Sequence, residues 1–308
     1  MRRLEEGLGA HRLILSAVRD SSVLAGGGPD PALAEADVAF GQPNAADCLR
    51  YPRLRWAHLT TAGYARYDTD EFREAFRARG AALTKSSTVF AEPAAQHALA
   101  MMLALGRMLL PSFRDQITDR SWHYLEHRRL SRLLTGQTVL LLGYGAIGRR
   151  LAELLGPFRC ELYALRRQTR SERGVRIVAE ADATKVLALA DHVVDLLPDS
   201  EATRHWVNAR RLACFRPGSR FYNLGRGSTV DQNALCEALQ KGTPAAAYLD
   251  VTEPEPLPPE HPLWTAPNCF ITPHTAGGRH DQDEALVDLF LRNLASFESG
   301  KPLSDIVI

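Results

Sequence analysis

The sequence predicts an α/β protein of two doubly wound parallel-sheet domains, and three observations carry that prediction. Short apolar runs alternate with amphipathic stretches along most of the chain, the pattern of strands joined by crossover helices. The run Thr138–Leu142 is apolar after its first residue, too short for a buried helix and bounded by glycine, so it reads as a buried parallel strand. Gly143, Gly145 and Gly148 follow at once in G-x-G-x-x-G spacing, with Ile147, Leu151, Leu154 and Leu155 at helical intervals behind them. A length of 308 residues leaves room for about two such domains.

Taken in order, His11–Ala17, Asp37–Phe40 and Arg55–Thr60 are strand candidates ended by Gly, Pro or polar residues. The stretch 69–80 predicts a helix with Phe72, Ala75 and Phe76 on one face and Gly80 as its stop. After the strand at 55–60 come the small residues around Ala62, Gly63 and Tyr64, whose backbone N–H groups would be open to an anion; taken by itself the loop also reads as an ordinary turn. From Glu92 to Leu110 the chain is rich in Ala, Leu and Met with little charge. This reads as one long helix, ended by Pro111 and covered by a second domain or subunit, hence part of a dimer contact.

Beyond the glycine loop the strand candidates are Glu161–Leu165, Val175–Val178, His192–Leu197, Arg220–Asn223, Ala245–Asp250 and Cys269–Thr272. A helix over 231–242 has Asp231 as N-cap and Gly242 as stop. The stretch EPEPLPPEHP reads as a rigid loop. From Asp281 an amphipathic helix with Leu286, Leu289, Phe290 and Leu294 is placed to cross back to the first domain. The expected division is therefore 1–100, 101–279 and a returning segment 280–308.

Composition bounds the function. With 45% hydrophobic and 24% charged residues and a net charge of +1, the chain is ordinary globular protein with no electrostatic reason to bind nucleic acid or an acidic membrane. The N-terminus is charged where a signal peptide would be apolar, and no run is long enough for a membrane span. Five scattered cysteines without a C-x-x-C pair argue against zinc and a disulfide framework and for the cytoplasm. His123, His127, His192, His205, His261 and His280 are read as lacking ligand spacing with acidic neighbours, so no metal is expected. Ser228 lacks a hydrolase elbow, and Trp122, Trp206 and Trp264 are assigned to packing or interfaces.

The chemistry lies at the ends of the predicted strands. A pyrophosphate needs backbone N–H groups and a helix N-terminus behind it; Gly143 would make the turn, Gly145 admit the phosphates and Gly148 let helix pack on strand. At the end of the next strand, where an acidic residue would favour NAD, stand Arg166, Arg167 and Arg170. Guanidinium beside a 2′-phosphate makes NADP (NADPH) the preferred cofactor, with NAD the alternative and solvated surface arginines the bland reading. Farther on, Arg226, Glu255 and His274 each lie past a strand's carboxyl end. A cation to bind and polarise a keto acid, an imidazole to donate and accept a proton, and a carboxylate to orient it are what hydride transfer to a keto acid requires.

These segments, LLGYGAIGRRLA, LLPDSEATRHWVN, FYNLGRGSTVD, LDVTEPEPLP and HPLWTAPNCFITPHTAG, resemble the D-isomer-specific 2-hydroxyacid dehydrogenase family, and more loosely its glyoxylate/hydroxypyruvate reductase branch, over nearly the whole chain. The resemblance implies a Rossmann-like cofactor domain inserted into a flavodoxin-like substrate domain, and a homodimer acting on a small 2-keto or 2-hydroxy acid. By position, Arg226, Glu255 and His274 match the family's catalytic residues, and Ala62, Gly63 and Tyr64 match the backbone that holds the substrate carboxylate. The implied cofactor contacts are Gly143, Tyr144, Gly145, Ala146, Ile147, Gly148, Arg166, Arg167, Leu197, Pro198, Thr203, Leu224, Gly225, Arg226, Asp250, His274 and Gly277, with Asp250 at the nicotinamide amide and Leu197, Pro198 and Thr203 on the adenosine side. Ala65 stands where the family commonly has aspartate, and Ala95-Gln96-His97 where many members have A-E-H; Arg66 is read first as a surface arginine and second as a candidate for another anionic group on the substrate. The alternatives are an NAD-linked dehydrogenase of another D-2-hydroxy acid and a cofactor-sensing scaffold with little turnover.

Overall fold

A computed structural model describes residues 2–18, 28–166 and 172–308. The chain divides into two compact units, Met1–Phe90 with Arg279–Ile308, and Ala91–Gly278. The division falls within one long helix, at residue 90 and not at 100.

The first unit holds a parallel sheet in the order β1-β2-β3, formed by β1 (Val38–Gly41), β2 (Trp56–Leu59) and β3 (Ala82–Thr84). Helices α1 (Arg2–Gly7), α2 (Ala45–Arg50) and α3 (Asp70–Ala78) accompany it. In α3 the Thr69 hydroxyl accepts the Phe72 N–H at 3.2 Å, Asp70 and Glu71 complement the dipole of the first turn, and Gly80 takes φ 63° just past the end. Its buried Phe72 and Phe76 pack with Ala57, Leu59 and Leu83. Trp56 points to the other face, where it stacks on Phe290 and Phe297 at 5.2 and 5.3 Å between ring centroids. Those two rings belong to the C-terminal helix Gln282–Glu298, so a segment distant in sequence completes this core.

Two expectations for this part of the chain fail. His11–Ala17 forms no strand: Leu13 packs beside Trp56, but Leu15 is 63% exposed and no ladder partner lies alongside among the described residues. An apolar run becomes a strand only where a neighbour takes its backbone groups. Nor does Pro111 end the long helix. That helix, α4 (Ser87–Gly106), stops at Gly106; Met108 turns left-handed at φ 59°, and Pro111 sits in the first turn of α5 (Leu109–Thr118), where its missing N–H has no intrahelical partner to lose. Helix α6 (Tyr124–Leu130) follows.

The second unit is built on seven parallel strands, β4 (Thr138–Leu142), β5 (Glu161–Leu165), β6 (Arg176–Val178), β7 (His192–Asp195), β8 (Arg220–Asn223), β9 (Ala246–Leu249) and β10 (Cys269–Ile271), in the order β10-β9-β8-β7-β4-β5-β6. Helices α7 (Ala146–Leu155), α8 (Ala183–Leu187), α9 (Ala209–Leu212), α10 (Gln232–Gln240) and, in the first unit, α11 (Gln282–Glu298) complete the chain. Strands β7, β8 and β9 are buried along their whole length, as a sheet covered on both faces requires. Alternation splits the core: Leu140, Leu142, Val193, Phe221 and Leu249 pack on one face, Val139, Leu141, Val194, Tyr222 and Tyr248 on the other. The Asp231 side chain caps α10 through the Ala234 N–H at 3.0 Å, and Gly242 closes it at φ 77°. No helix among the described residues is long and apolar enough to cross a membrane.

Candidate active site

Register places the site. Leu142 pairs with Asp195, Asp195 with Asn223, Asn223 with Leu249 and Leu249 with Ile271, so the next residues, Gly143, Leu196, Leu224, Asp250 and Thr272, leave the sheet along one carboxyl edge. After β6 the chain returns to the other side of β4 and lays down β7 there. That reversal opens a crevice between the loops after β4 and β7, where open α/β sheets bind ligands.

The loop after β4 fits a pyrophosphate. Gly143 adopts φ 97°, and a Cβ there would stand 2.9 Å from the Leu196 carbonyl oxygen; one on Gly148 would stand 2.9 Å from the Gly143 oxygen. These contacts hold turn, helix and strand together. Gly145, by contrast, faces open space, with nothing within 4 Å of its missing Cβ, and it begins α7 with no side chain capping that end. The first-turn N–H groups of Ala146 and Ile147 therefore have neither an intrahelical partner nor a side-chain cap, which suits a bound anion. Tyr144 is buried beside them. Across the crevice, the Leu197 N–H donates to Asp195 at 3.0 Å, the Thr203 hydroxyl donates to the Pro198 carbonyl at 2.6 Å, and Gly225 comes so close that a Cβ would lie 2.7 Å from the Leu197 oxygen. Half-buried Arg166 donates to Glu172 at 3.2 Å, so this guanidinium already has a carboxylate partner; Arg167 and Arg170 lie outside the described residues.

Three loops on the same edge bring Arg226, Glu255 and His274 into one electrostatic group. The His274 backbone is left-handed, φ 54°, a conformation a non-glycine residue keeps only when its surroundings impose it. Asp250 imposes it. Its carbonyl accepts the His274 N–H at 2.8 Å, and its buried carboxylate accepts from the Thr272 hydroxyl at 2.6 Å, the Thr275 N–H at 2.9 Å and the Ala276 N–H at 3.0 Å. The imidazole Nδ1 meets Glu255 Oε2 at 2.8 Å, while Glu255 Oε1 accepts the Thr252 N–H at 3.1 Å. Burial pushes the Glu255 carboxyl up, but the His274 hydrogen bond and charge, the Thr252 N–H and the Arg226 charge outweigh it, and the carboxyl is held below its ordinary value. An ionised Glu255 can only accept, so Nδ1 carries the hydrogen and Nε2 is the nitrogen left for substrate.

The Arg226 loop is set by residues that sequence reasoning missed. Its carbonyl accepts from Asn223 Nδ2 at 2.9 Å and the Thr229 hydroxyl at 2.7 Å, and that hydroxyl also reaches Asp195 Oδ2 at 2.6 Å. Gly227 lies flat on the chain at Thr252, where a Cβ would fall 2.0 Å from the carbonyl carbon and oxygen. The Arg226 guanidinium donates to the Gly225 carbonyl at 2.7 Å and is half-buried. A signal existed: Asp195 and Asn223 are polar residues at the carboxyl ends of fully buried strands.

Ala62, Gly63 and Tyr64 are half-buried in the first unit, on the loop after β2. Thr61 donates to the Gly63 carbonyl at 2.8 Å, the Tyr64 carbonyl accepts the Tyr67 N–H at 2.8 Å, and Lys85, which the sequence reading passed over, lies 4.5 Å over the Tyr64 ring. Arg66 is exposed and reaches Gln42 at 3.4 Å. Of the three tryptophans assigned to packing or interfaces, Trp206 is buried, while Trp122 is 90% and Trp264 50% exposed. One other expectation is corrected. His123 and His127 do have an acidic neighbour, Asp115, supplied by the preceding helix.

Comparison with known proteins bears on this geometry. The D-isomer specific 2-hydroxyacid dehydrogenase NAD binding domain matches residues 99–276. The chain belongs to the D-isomer-specific 2-hydroxyacid dehydrogenase family. As a member it is an NAD(P)-dependent oxidoreductase with the α/β fold of that family, on the glyoxylate/hydroxypyruvate reductase side. It is 31% identical over 277 residues to a glyoxylate/hydroxypyruvate reductase B of Pectobacterium carotovorum, covering 88% of this chain and 85% of that one. It is 31% identical over 257 residues to a glyoxylate reductase of Pyrococcus furiosus, covering 81% and 74%. An uncharacterized Corynebacterium melassecola protein is 41% identical over 175 residues, 56% of this chain and 58% of that protein's length. Among solved structures, a family dehydrogenase of Xanthobacter autotrophicus in complex with NADPH and MES superposes with a TM-score of 0.81 at 27% identity, over 100% of this chain and 93% of that one.

Proposed function

We propose that this dehydrogenase reduces a small 2-keto acid of the glyoxylate or hydroxypyruvate type to the D-2-hydroxy acid, with NADPH preferred over NADH. The observation that carries the reading is the 2.8 Å pair between His274 Nδ1 and Glu255, within the field of Arg226. When bound, the nicotinamide cofactor supplies the hydride; Gly143–Gly148, Leu197, Pro198, Thr203, Leu224, Gly225 and Gly277 would hold it, and the arginines that follow β5 in the sequence, Arg166 and Arg167, are the candidates for the 2′-phosphate. His274 Nε2 gives a proton to the substrate oxygen and recovers it in the reverse direction. Glu255 fixes the ring, and Arg226 binds the substrate carboxylate and polarises the carbonyl.

The preference for NADPH is supported by the arginines at the end of β5 and by relatives seen with this cofactor: the Xanthobacter enzyme above, and an NADPH-dependent glyoxylate/hydroxypyruvate reductase of Sinorhizobium meliloti in complex with NADP and malonate, 30% identical over 88% of this chain and 82% of that one with a TM-score of 0.69. The cytoplasm is supported by the five free cysteines. A homodimer is supported by exposed apolar side chains crowded into α5, α6 and their flanks, among them Leu109, Phe113, Ile117, Trp122 and Leu125. The deciding experiment measures reduction of a 2-keto acid panel with each cofactor, for wild type and His274→Ala. Turnover of glyoxylate or hydroxypyruvate that falls by about 10² or more in the variant is expected; equal turnover by both proteins, or a clear preference for NADH, refutes the corresponding part.

A further inference from the structure

Outside the candidate active site, one cluster joins side chains from two helices of the second unit. His123 and His127 stand four apart in the sequence H-Y-L-E-H, and the His127 N–H donates to the His123 carbonyl at 3.0 Å, so one helical turn puts both rings on one face. Asp115 comes from α5. Its Oδ2 lies 3.0 Å from His123 Nδ1 and 3.2 Å from His127 Nε2, and one ligand atom from each of the three residues lies within 4.8 Å of the others. Metal–nitrogen and metal–oxygen bonds of about 2.0–2.2 Å, meeting at about 90–110°, hold adjacent ligand atoms about 2.9–3.5 Å apart. The two separations from Asp115 fall inside that range, and the two histidine nitrogens lie within 4.8 Å of each other.

The hydrogen bonds behind the cluster point the same way. Ser112 Oγ lies 2.7 Å from the Met108 carbonyl and 2.8 Å from His127 Nδ1. A hydroxyl has one hydrogen; given to the carbonyl, it leaves the oxygen to accept the Nδ1–H. A neutral His127 then turns the bare lone pair of Nε2 toward a carboxylate oxygen, an arrangement satisfied by a metal ion between them or by a proton on Nε2. This is also how a ligating histidine is oriented by a group beyond the metal. Asp119 and Glu126 add negative charge close enough to act on His123.

We propose that Asp115, His123 and His127 bind a divalent transition-metal ion of the zinc class, water filling the remaining coordination, and that the ion fastens α6 to α5. Two imidazoles with one carboxylate suit zinc, cobalt, nickel or copper and not calcium or magnesium. The fastened segment also carries Phe113, Ile117, Trp122 and Leu125, all exposed.

The test uses the full chain, stripped with chelator, and titrates Zn²⁺ in competition with a chromophoric chelator near neutral pH. The expected result is one tight site per chain. His123→Ala and His127→Ala each weaken it by at least about 100-fold, and Ser112→Ala by about 10–100-fold. His280→Ala, which alters an exposed histidine outside the cluster, leaves it unchanged. Co²⁺ in place of Zn²⁺ gives visible ligand-field bands in wild type that the His123→Ala/His127→Ala double variant loses, while far-ultraviolet circular dichroism shows the variant folded. Zinc affinity equal in wild type and the double variant overturns the proposal and leaves the cluster a hydrogen-bonded ion triad.

Discussion

Asp195 closes β7 with its carboxyl group wholly inside the protein, and burial pushes its pKa up to about 7 against the lowering effect of the Thr229 hydroxyl and the Leu197 N–H. The geometry favours the protonated form. Thr229 has one hydroxyl hydrogen and two acceptors, Asp195 Oδ2 at 2.6 Å and the Arg226 carbonyl at 2.7 Å. Protonated, Asp195 donates to Thr229, and Thr229 donates to Arg226; ionised, the carboxylate competes for that hydrogen. Between the ordinary carboxylate value of 3.8 and about 7 the folded protein therefore holds a proton the unfolded chain has released. Stability falls as pH rises through that window, by about 1.4 kcal/mol per unit and about 4 kcal/mol in all, and is flat above it.

Asp195→Asn removes the titration and keeps the bonds, because the amide oxygen accepts from Leu197 and the amide NH₂ donates to Thr229. Urea unfolding of both proteins at a series of pH values isolates the effect, since every other carboxylate is common to the pair. The stability of the variant relative to wild type should rise by about 4 kcal/mol from pH 4 to pH 7 and then level off. A difference that stays constant with pH, or falls, refutes the assignment of a proton to Asp195.

Gly227→Ala must displace the Arg226 loop from Thr252, because its Cβ would overlap backbone atoms; a loss of at least about 2 kcal/mol in urea unfolding and a raised KM for the keto acid are expected. Glu255→Gln replaces a charge-assisted bond to His274 with a neutral one and should lower kcat by about 10² while leaving cofactor affinity intact, read from steady-state kinetics and fluorescence titration. The wild-type carboxyl is held below its ordinary value, so the pair is intact above the usual carboxylate range and is lost only as pH falls through that lower value; the acid limb of the wild-type pH profile should accordingly lie below the usual carboxylate range. Ile117→Glu, on the exposed apolar stretch through which the homodimer is proposed to form, should leave the chain sedimenting as a monomer where wild type sediments as a dimer, with the circular dichroism spectrum unchanged.

Much of the second unit was legible in sequence because its signals are local. A run such as Thr138–Leu142 followed by spaced glycines constrains the backbone within a dozen residues, and the strand Arg220–Asn223 and the capped helix after Asp231 are found where expected. Local signals mislead where the deciding partner is distant. His11–Ala17 has the composition of a strand but no ladder among the described residues, and β3 is only three residues long, too short for periodicity to register, yet it pairs along its whole length with β2. At the site, the identities of Arg226, Glu255 and His274 were readable from their places after strands. The dependence of the Arg226 loop on Asp195, Asn223 and Thr229 was not, because those residues meet only across the sheet.

By itself the sequence determined the fold class and the glycine turn and named the three residues of the candidate acid–base group, since each rests on backbone preferences or on side-chain types at fixed places in the chain. Tertiary structure alone decided which nitrogen of His274 faces outward, the burial that raises the Asp195 pKa and the meeting of Asp115 with His123 and His127. Each of these depends on separations of about 3 Å between groups that the chain order keeps apart, and hydrogen bonding and electrostatics are steep over such distances.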